Sequence, residues 1–127
     1  MPATILVIDD DSLVRWSLAQ HLTQHGFDVV AVATGAEALA RARSLPVPQL
    51  VLLDLKLPDM HGLALLAALR RQGSSCPVIV LSAHLTPELE LEALGAGASG
   101  VVGKPFQLEA LLEVVRRRLG PAAPSRA

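Results

Sequence analysis

The sequence has a single cysteine, Cys76, so it cannot form an internal disulfide. Such scarcity of cysteine fits a reducing compartment, and we expect a cytoplasmic location. The first residues, MPATILVIDDD, lack the basic segment and long apolar core of a secretory signal peptide. No apolar run approaches the roughly 20 residues that a membrane-spanning helix needs. We therefore expect no membrane partner.

The chain also lacks an excess of charge of either sign. Eleven Lys and Arg residues stand against 12 Asp and Glu residues, for a net charge of -1. This balance gives no overall attraction to nucleic acid, and we expect no direct nucleic-acid binding. The 127 residues are 51% hydrophobic and 18% charged, which is typical of one core-rich globular domain. We expect that domain at residues 1–120 and a Pro/Ala-rich tail or linker at 121–127.

Five short runs of apolar and β-branched residues are typical of strands buried on both faces, as in a parallel sheet. The runs are Thr4–Ile8, Asp28–Val32, Leu50–Leu53, Val78–Leu81 and Gly100–Val102. Helical patterns lie between and after them, so the order is (βα)₅. Right-handed crossovers then predict a doubly wound, three-layer α/β sandwich of the flavodoxin-like type, with parallel strands in the order 2-1-3-4-5.

Capping residues agree with the predicted helices. Ser12 is predicted to cap the first helix, and Gly26 to follow its end. Thr34 precedes the second helix, Gly73 follows the third, and the pair Thr86–Pro87 opens the fourth.

The run LVLLDLKLP contains a carboxylate, Asp54, inside an apolar strand, which is costly unless something pairs with it. Open α/β sheets place their sites at the carboxyl ends of the strands. The polar residues predicted there are Asp9, Asp10, Asp54, Ser82 and Lys104. Because adjacent strands lie about 4.8 Å apart, we expect the three acids in one pocket, with Ser82 and Lys104 on its far side.

Close carboxylates repel one another, which should raise at least one pKa. The ammonium of Lys104 or a bound Mg²⁺ would relieve the repulsion, since Mg²⁺ prefers oxygen ligands. An ionised Asp54 could then attack phosphorus and form an acyl phosphate. The hydroxyl of Ser82 could donate to a phosphoryl oxygen.

Four motifs, VIDDDS, VLLDLKLPDMHG, VLSA and GKPF, occur at the predicted strand ends. In that order, across residues 4–119, they resemble a response-regulator receiver domain of two-component signal transduction. The resemblance implies that Asp54 is the phosphoacceptor and that Ser82 and Lys104 contact the phosphoryl group. It also implies a cis peptide between Lys104 and Pro105.

The resemblance further implies a Mg²⁺ site. Asp10 would bind the ion directly, Asp9 largely through water, Asp54 through its carboxylate and Lys56 through its backbone carbonyl. The chain would then be a phosphoprotein that hydrolyses its own phosphoryl group, not an enzyme acting on other substrates.

The partners implied by the resemblance are a histidine kinase or a phosphotransfer protein. The fourth helix, fifth strand and fifth helix, roughly Thr86 to Leu119, would form the face that changes partners. A C-terminal effector domain, a separate output protein and a phosphorylation-dependent homodimer are the candidate outputs. One departure is Val101, which occupies a position where the family often has an aromatic switch residue.

The same residues bear on other possible functions. Val101 leaves open a degenerate receiver that acts as a phosphorylation-independent interaction module, but the full set of five site residues argues against it. A haloacid-dehalogenase-type phosphatase needs a second Asp where this chain has Lys56. A flavin or nucleotide binder needs a Gly-rich turn, whereas the IDDDS turn is acidic and would repel phosphate. The acidic DDDS cluster could also simply cap a helix.

Overall fold

The structure, a computed structural model, describes residues 2–120, so the predicted tail lies outside the described residues. Strands and helices alternate along the chain. The elements are β1 (Thr4–Ile8), α1 (Ser12–Gln24), β2 (Asp28–Val32), α2 (Gly35–Ala42), β3 (Leu50–Asp54), α3 (Gly62–Arg71), β4 (Val78–Ser82), α4 (Pro87–Gly95), β5 (Gly100–Gly103) and α5 (Leu108–Leu119). Among these residues, no helix is long and apolar enough to cross a membrane.

The strands form one parallel sheet in the order β2-β1-β3-β4-β5, which confirms the predicted fold class and strand order. Strands β1, β3 and β4 occupy the middle, and every residue in them is buried. Burial on both faces explains why these three segments are almost continuously apolar.

Each face of the sheet packs against its own apolar core. Alternate strand residues point to opposite faces, so Leu6 and Ile8 join one core and Ile5 and Val7 join the other. Helices α2, α3 and α4 cover the first face, and α1 and α5 cover the second. The carboxyl ends of the strands are left free of this packing and lie together at one edge.

One predicted cap is wrong. The N-cap of α1 is Asp11, whose carboxylate accepts hydrogen bonds from the N–H groups of Leu13 at 2.9 Å and Val14 at 3.4 Å. Ser12 is instead the first residue of the helix. Capping therefore accounts for only the third acid of the DDDS cluster, and Asp9 and Asp10 need another explanation.

The other predicted caps are confirmed. The hydroxyls of Thr34 and Thr86 each accept a hydrogen bond, at 3.1 Å, from a backbone N–H in the first turn of the helix that follows. Gly26 and Gly73 have φ values of +92° and +100°, which a residue with a Cβ rarely adopts.

Candidate functional site

Three carboxylates meet where β1 and β3 end. Asp9 and Asp10 directly follow β1, and Asp54 is the last residue of β3. One carboxylate oxygen from each lies within 4.8 Å of the others. Asp9 is fully buried and Asp54 is 6% exposed, whereas Asp10 faces solvent. The predicted clustering of the three acids is therefore observed, with two of them largely removed from water.

Lys104 supplies the opposing charge. Its Nζ donates to Oδ2 of Asp9 at 2.8 Å and lies 3.4 Å from Oδ1 of Asp54. Its backbone N–H donates to the carbonyl of Ser82 at 2.7 Å, which ties the segment after β5 to the end of β4. The peptide between Lys104 and Pro105 is cis, as predicted.

The pKa values reflect this crowding. Burial, followed by repulsion from Asp9, raises the pKa of Asp54, and attraction to Lys104 only partly offsets these effects. A hydrogen bond from the Lys56 backbone N–H also favours the ionised form of Asp54. Burial alone would lower the pKa of Lys104, but its hydrogen bond and attraction to Asp9, together with Asp54, raise it overall. Lys104 thus supplies the positive charge that faces the two buried carboxyl groups.

Ser82 lies at the end of the neighbouring strand β4. It is 6% exposed, and its Oγ accepts the N–H of His84 at 3.1 Å. The hydroxyl therefore keeps its own proton available for donation to a ligand.

All six residues singled out from the sequence line one cavity of about 360 Å³. They are Asp9, Asp10, Asp54, Lys56, Ser82 and Lys104. The same cavity is lined by two histidines, His61 and His84, to which sequence reasoning assigned no contact with a ligand. Their positions after Asp54 and Ser82 were the available signal, and both side chains are exposed at the rim.

The β3–α3 loop, residues 55–61, is a closed ring. The N–H of Gly62 donates to the carbonyl of Leu55 at 2.8 Å, and Lys56 and His61 form an antiparallel bridge. A Cβ at Gly62 would lie 2.7 Å from Cα of Leu55 and 2.9 Å from the carbonyl oxygen of Asp54, so only glycine fits. This ring determines where the Lys56 backbone lies relative to Asp54.

The donor set of the cavity suits a hard divalent cation. Mg²⁺ prefers oxygen ligands such as these carboxylates, and the residues that line the cavity include no cysteine or methionine. Asp9, Asp10 and Asp54 could hold such an ion. Val101, at the position where the family often has an aromatic switch residue, is half-buried and packs against the first core.

Comparisons with known proteins agree with this geometry. The family model described as "Response regulator receiver domain" matches residues 5–116. The chain is 43% identical over 112 residues to the transcriptional regulatory protein KdpE of Mycobacterium tuberculosis (strain CDC 1551 / Oshkosh), covering 88% of this chain and 49% of that protein. It is 39% identical over 124 residues to the response regulator MprA of Mycolicibacterium vanbaalenii, covering 98% of this chain and 53% of that protein. The chain thus spans about half the length of the curated relatives it matches.

Solved structures show the same fold. The crystal structure of a CheY-like response regulator receiver domain from Methanospirillum hungatei JF-1 superposes with a TM-score of 0.87 at 32% identity, covering 94% of each chain. The family match spans most of the chain, and the relatives exceed 30% identity. The chain therefore belongs to the response regulator receiver domain family of two-component signalling.

Proposed function

We propose that this chain is a phosphoacceptor receiver domain that takes a phosphoryl group on Asp54 in the presence of Mg²⁺. The observation that carries the proposal is the charge arrangement around that carboxylate. Asp54 is 6% exposed, shares a cavity with two further acids, and has the Lys104 ammonium 3.4 Å from its oxygen. In its ionised form, a carboxylate in such a place is a nucleophile.

In the proposed reaction an oxygen of Asp54 attacks the phosphorus of a phosphohistidine on a histidine kinase or phosphotransfer protein. The N–P bond of the donor breaks, an O–P bond forms on Asp54, and the histidine leaves as the neutral imidazole after taking up a proton. Mg²⁺, when bound, supplies charge neutralisation to the phosphoryl oxygens. Asp9, Asp10, Asp54 and the Lys56 carbonyl would hold it.

The remaining side chains act on the same phosphoryl group. Lys104 lies between Asp9 and Asp54, so its ammonium can contact an oxygen of the incoming group. The Ser82 hydroxyl can donate to another oxygen. Attack by water on the acyl phosphate would later return Asp54 to its free form, so the only chemistry is self-directed.

Output is proposed to pass through the face formed by α4, β5 and α5. Within this face α4 carries the exposed side chains of Leu91 and Leu94, and the last turn of α5 carries Arg116, Arg117 and Arg118. The relatives extend beyond the matched half and are described as transcriptional regulators, so an effector segment following residue 120, through a linker at 121–127, is the partner we favour. A separate output protein and a phosphorylation-dependent homodimer remain candidates, and the cytoplasmic location stays a prediction.

The complete set of site residues favours this function over a degenerate receiver. A chain that used the fold only for interaction would have no need for a buried carboxylate cluster with a raised pKa at Asp54. The dehalogenase-type phosphatase is disfavoured because Lys56 stands where a second Asp is needed.

Phosphorylation of Asp54 is tested directly by mass. Acetyl phosphate with Mg²⁺ is expected to add a phosphoryl group of about 80 Da to the wild type, because the ionised carboxylate attacks the small donor as it would phosphohistidine. Intact-mass spectrometry measures the adduct. Asp54→Asn should show none, and chelation of Mg²⁺ by EDTA should abolish it in the wild type. An unmodified wild type, or an adduct of equal yield on Asp54→Asn, contradicts the proposal.

Mg²⁺ binding is tested by replacing the exposed acid. Asp10→Ala is expected to weaken Mg²⁺ binding at least roughly tenfold, because it removes one of few charged ligands. Isothermal titration calorimetry on the domain without phosphodonor gives the affinity. Asp11→Asn, next to it but engaged in capping α1, is the matched control and should keep the affinity of the wild type. Retained affinity in Asp10→Ala would mean that the ion binds elsewhere.

A further inference from the structure

Asp59, in the middle of the β3–α3 loop, contacts a helix far away in the sequence. Its Oδ1 accepts the N–H of Gly35 at 2.8 Å, and its Oδ2 accepts the N–H of Ala36 at 3.0 Å. Gly35 and Ala36 are the first two residues of α2. These two hydrogen bonds lower the pKa of Asp59, so the carboxylate is ionised when it makes them.

The neighbouring residue, Met60, adds a second contact at the same point. A Cβ at Gly35 would lie 2.5–2.7 Å from the Sδ, Cε and Cγ atoms of Met60, so the methionine side chain rests directly on the glycine. Gly35 is buried by this contact. A polar and an apolar group of the loop therefore both engage the start of α2.

Helix α2 has its own caps. The Thr34 hydroxyl accepts the N–H of Glu37 at 3.1 Å, and the Glu37 carboxylate accepts the N–H of Ala33, the residue before the N-cap, at 2.9 Å. Ala36, which Asp59 also contacts, is exposed, so water could satisfy its N–H. Gly35 is buried, so Asp59 supplies the acceptor for its N–H, and the contact serves the helix as well as the loop.

The backbone hydrogen bonds that close the loop lie at its base. The Gly62–Leu55 hydrogen bond and the Lys56–His61 bridge close the ring next to β3. Leu57 and Met60 also pack against the core, but apolar contacts are non-directional and fix the tilt of the ring relative to the sheet less sharply than hydrogen bonds do. Asp59 lies at the far side of the ring, where one attachment to α2 opposes that tilt.

We propose that Asp59 is a positioning residue that fastens the phosphoacceptor loop to α2 and thereby holds the Lys56 backbone in place beside Asp54. The inference rests on the proposed function, since the Lys56 carbonyl is a proposed metal ligand and the Lys56 N–H hydrogen-bonds to the Asp54 carboxylate. Tilting the loop would displace both groups together. Even a small displacement of such groups slows reactions that depend on preorganised geometry.

The test compares Asp59→Ala with Glu37→Ala. Each variant removes a carboxylate that accepts backbone N–H at or next to the start of α2, Gly35 and Ala36 for Asp59 and Ala33 for Glu37. Only Asp59 is part of the loop. Asp59→Ala is expected to lower the rate of modification by acetyl phosphate roughly fivefold, and to weaken Mg²⁺ binding by a similar factor. Both variants are expected to lower the thermal midpoint by similar amounts. Glu37→Ala should leave the rate of modification and the Mg²⁺ affinity unchanged.

Asp59→Asn serves as the conservative variant. It keeps one carbonyl acceptor in place of two carboxylate oxygens, so it should recover part of the lost rate and affinity. Amide hydrogen exchange of Gly35 and Ala36, measured by NMR, reports whether each variant has released the helix.

The outcomes separate the inference from the proposed function. If the wild type is modified and Asp59→Ala behaves like Glu37→Ala in both rate and Mg²⁺ affinity, the positioning role is wrong and the phosphoacceptor proposal stands. If the wild type is not modified at all, the proposed function fails, and Mg²⁺ affinity alone then decides the positioning role. Circular dichroism confirms that each variant is folded before either measurement is compared.

Discussion

Replacing Lys104 by Met is expected to destabilise the metal-free domain by about 3 kcal/mol, because removing one partner of a buried ion pair leaves the other charge uncompensated. Asp9 is fully buried and has the Lys104 ammonium 2.8 Å away. Methionine keeps the length of the side chain, so the loss measures charge rather than packing. The thermal midpoint should fall by roughly 10 °C, and chemical denaturation gives the free energy of unfolding.

Three comparisons isolate that charge effect. Lys56→Met removes an exposed lysine from the same cavity and should change stability little. Adding Asp9→Asn to Lys104→Met should recover part of the loss, since the buried charge is then gone. Mg²⁺ should also restore stability, because a cation among the carboxylates replaces the ammonium. If Lys104→Met were as stable as the wild type without metal, Lys104 would not be the group that compensates the acids.

The fold was predictable because the three middle strands are buried on both faces. Their continuous apolar runs differ from the alternating pattern of half-exposed strands. The helices between them form crossover connections, which join parallel strands. The predicted ends were less accurate. The structure extends β3 to Asp54, β4 to Ser82 and β5 to Gly103, one residue beyond each predicted end.

The extra residue has a physical meaning at two of these ends. A periodicity argument stops at the last apolar residue, whereas the backbone hydrogen bonds continue: Asp54 pairs with Leu81, and Ser82 pairs with Gly103. The two polar side chains are therefore held by the sheet itself rather than by a loop. That rigidity is what a site that must place atoms accurately requires.

Features that depend on the path of a loop were not predictable. Asp11 rather than Ser12 caps α1 because the backbone at Asp11 is extended and its carboxylate faces the open N–H groups, which the order of residues alone does not reveal. The same holds for His61, whose Nδ1 accepts the N–H of Leu63 at 3.1 Å and caps α3. Asp59 contacts Gly35 and Ala36, which lie 24 and 23 positions away in the sequence. No local sequence pattern predicts a contact over that distance.

Asp54→Asn is expected to have the opposite effect to Lys104→Met and to stabilise the metal-free domain at pH 7 by about 1–2 kcal/mol, within the range of single stabilising substitutions. Burial and repulsion from Asp9 raise the pKa of Asp54 in the folded state above its unfolded value near 3.8. The folded state therefore holds the proton more tightly than the unfolded chain does. The contribution of Asp54 to the free energy of unfolding is then highest when its carboxyl is protonated. This contribution falls as pH rises from about 3.8 through the folded pKa.

Asparagine cannot ionise, so it avoids this loss. The advantage of Asp54→Asn should be largest at neutral pH and should fade as pH falls toward 4, where the wild type is also neutral at this position. Urea unfolding of both proteins between pH 4 and 8 measures it. Asp59→Asn is the matched control with the reverse sign, because hydrogen bonds from Gly35 and Ala36 lower the pKa of that carboxyl. The stabilising effect of the Asp59 carboxylate is present above its unfolded pKa and is lost as pH falls through its folded pKa, so Asp59→Asn should cost stability at neutral pH.

Adding Mg²⁺ tests whether repulsion among the carboxylates is what destabilises the wild type. The ion should bind the folded wild type through Asp54 and its neighbours and stabilise it, whereas Asp54→Asn offers one negative charge fewer. The difference in free energy of unfolding between the two proteins should therefore narrow or reverse in Mg²⁺. A wild type that is more stable than Asp54→Asn without metal would mean that Lys104 already over-compensates the cluster. Instability of the empty site is thus the expected counterpart of its reactivity: the repulsion that weakens the fold is the same repulsion that a cation and a phosphoryl group relieve.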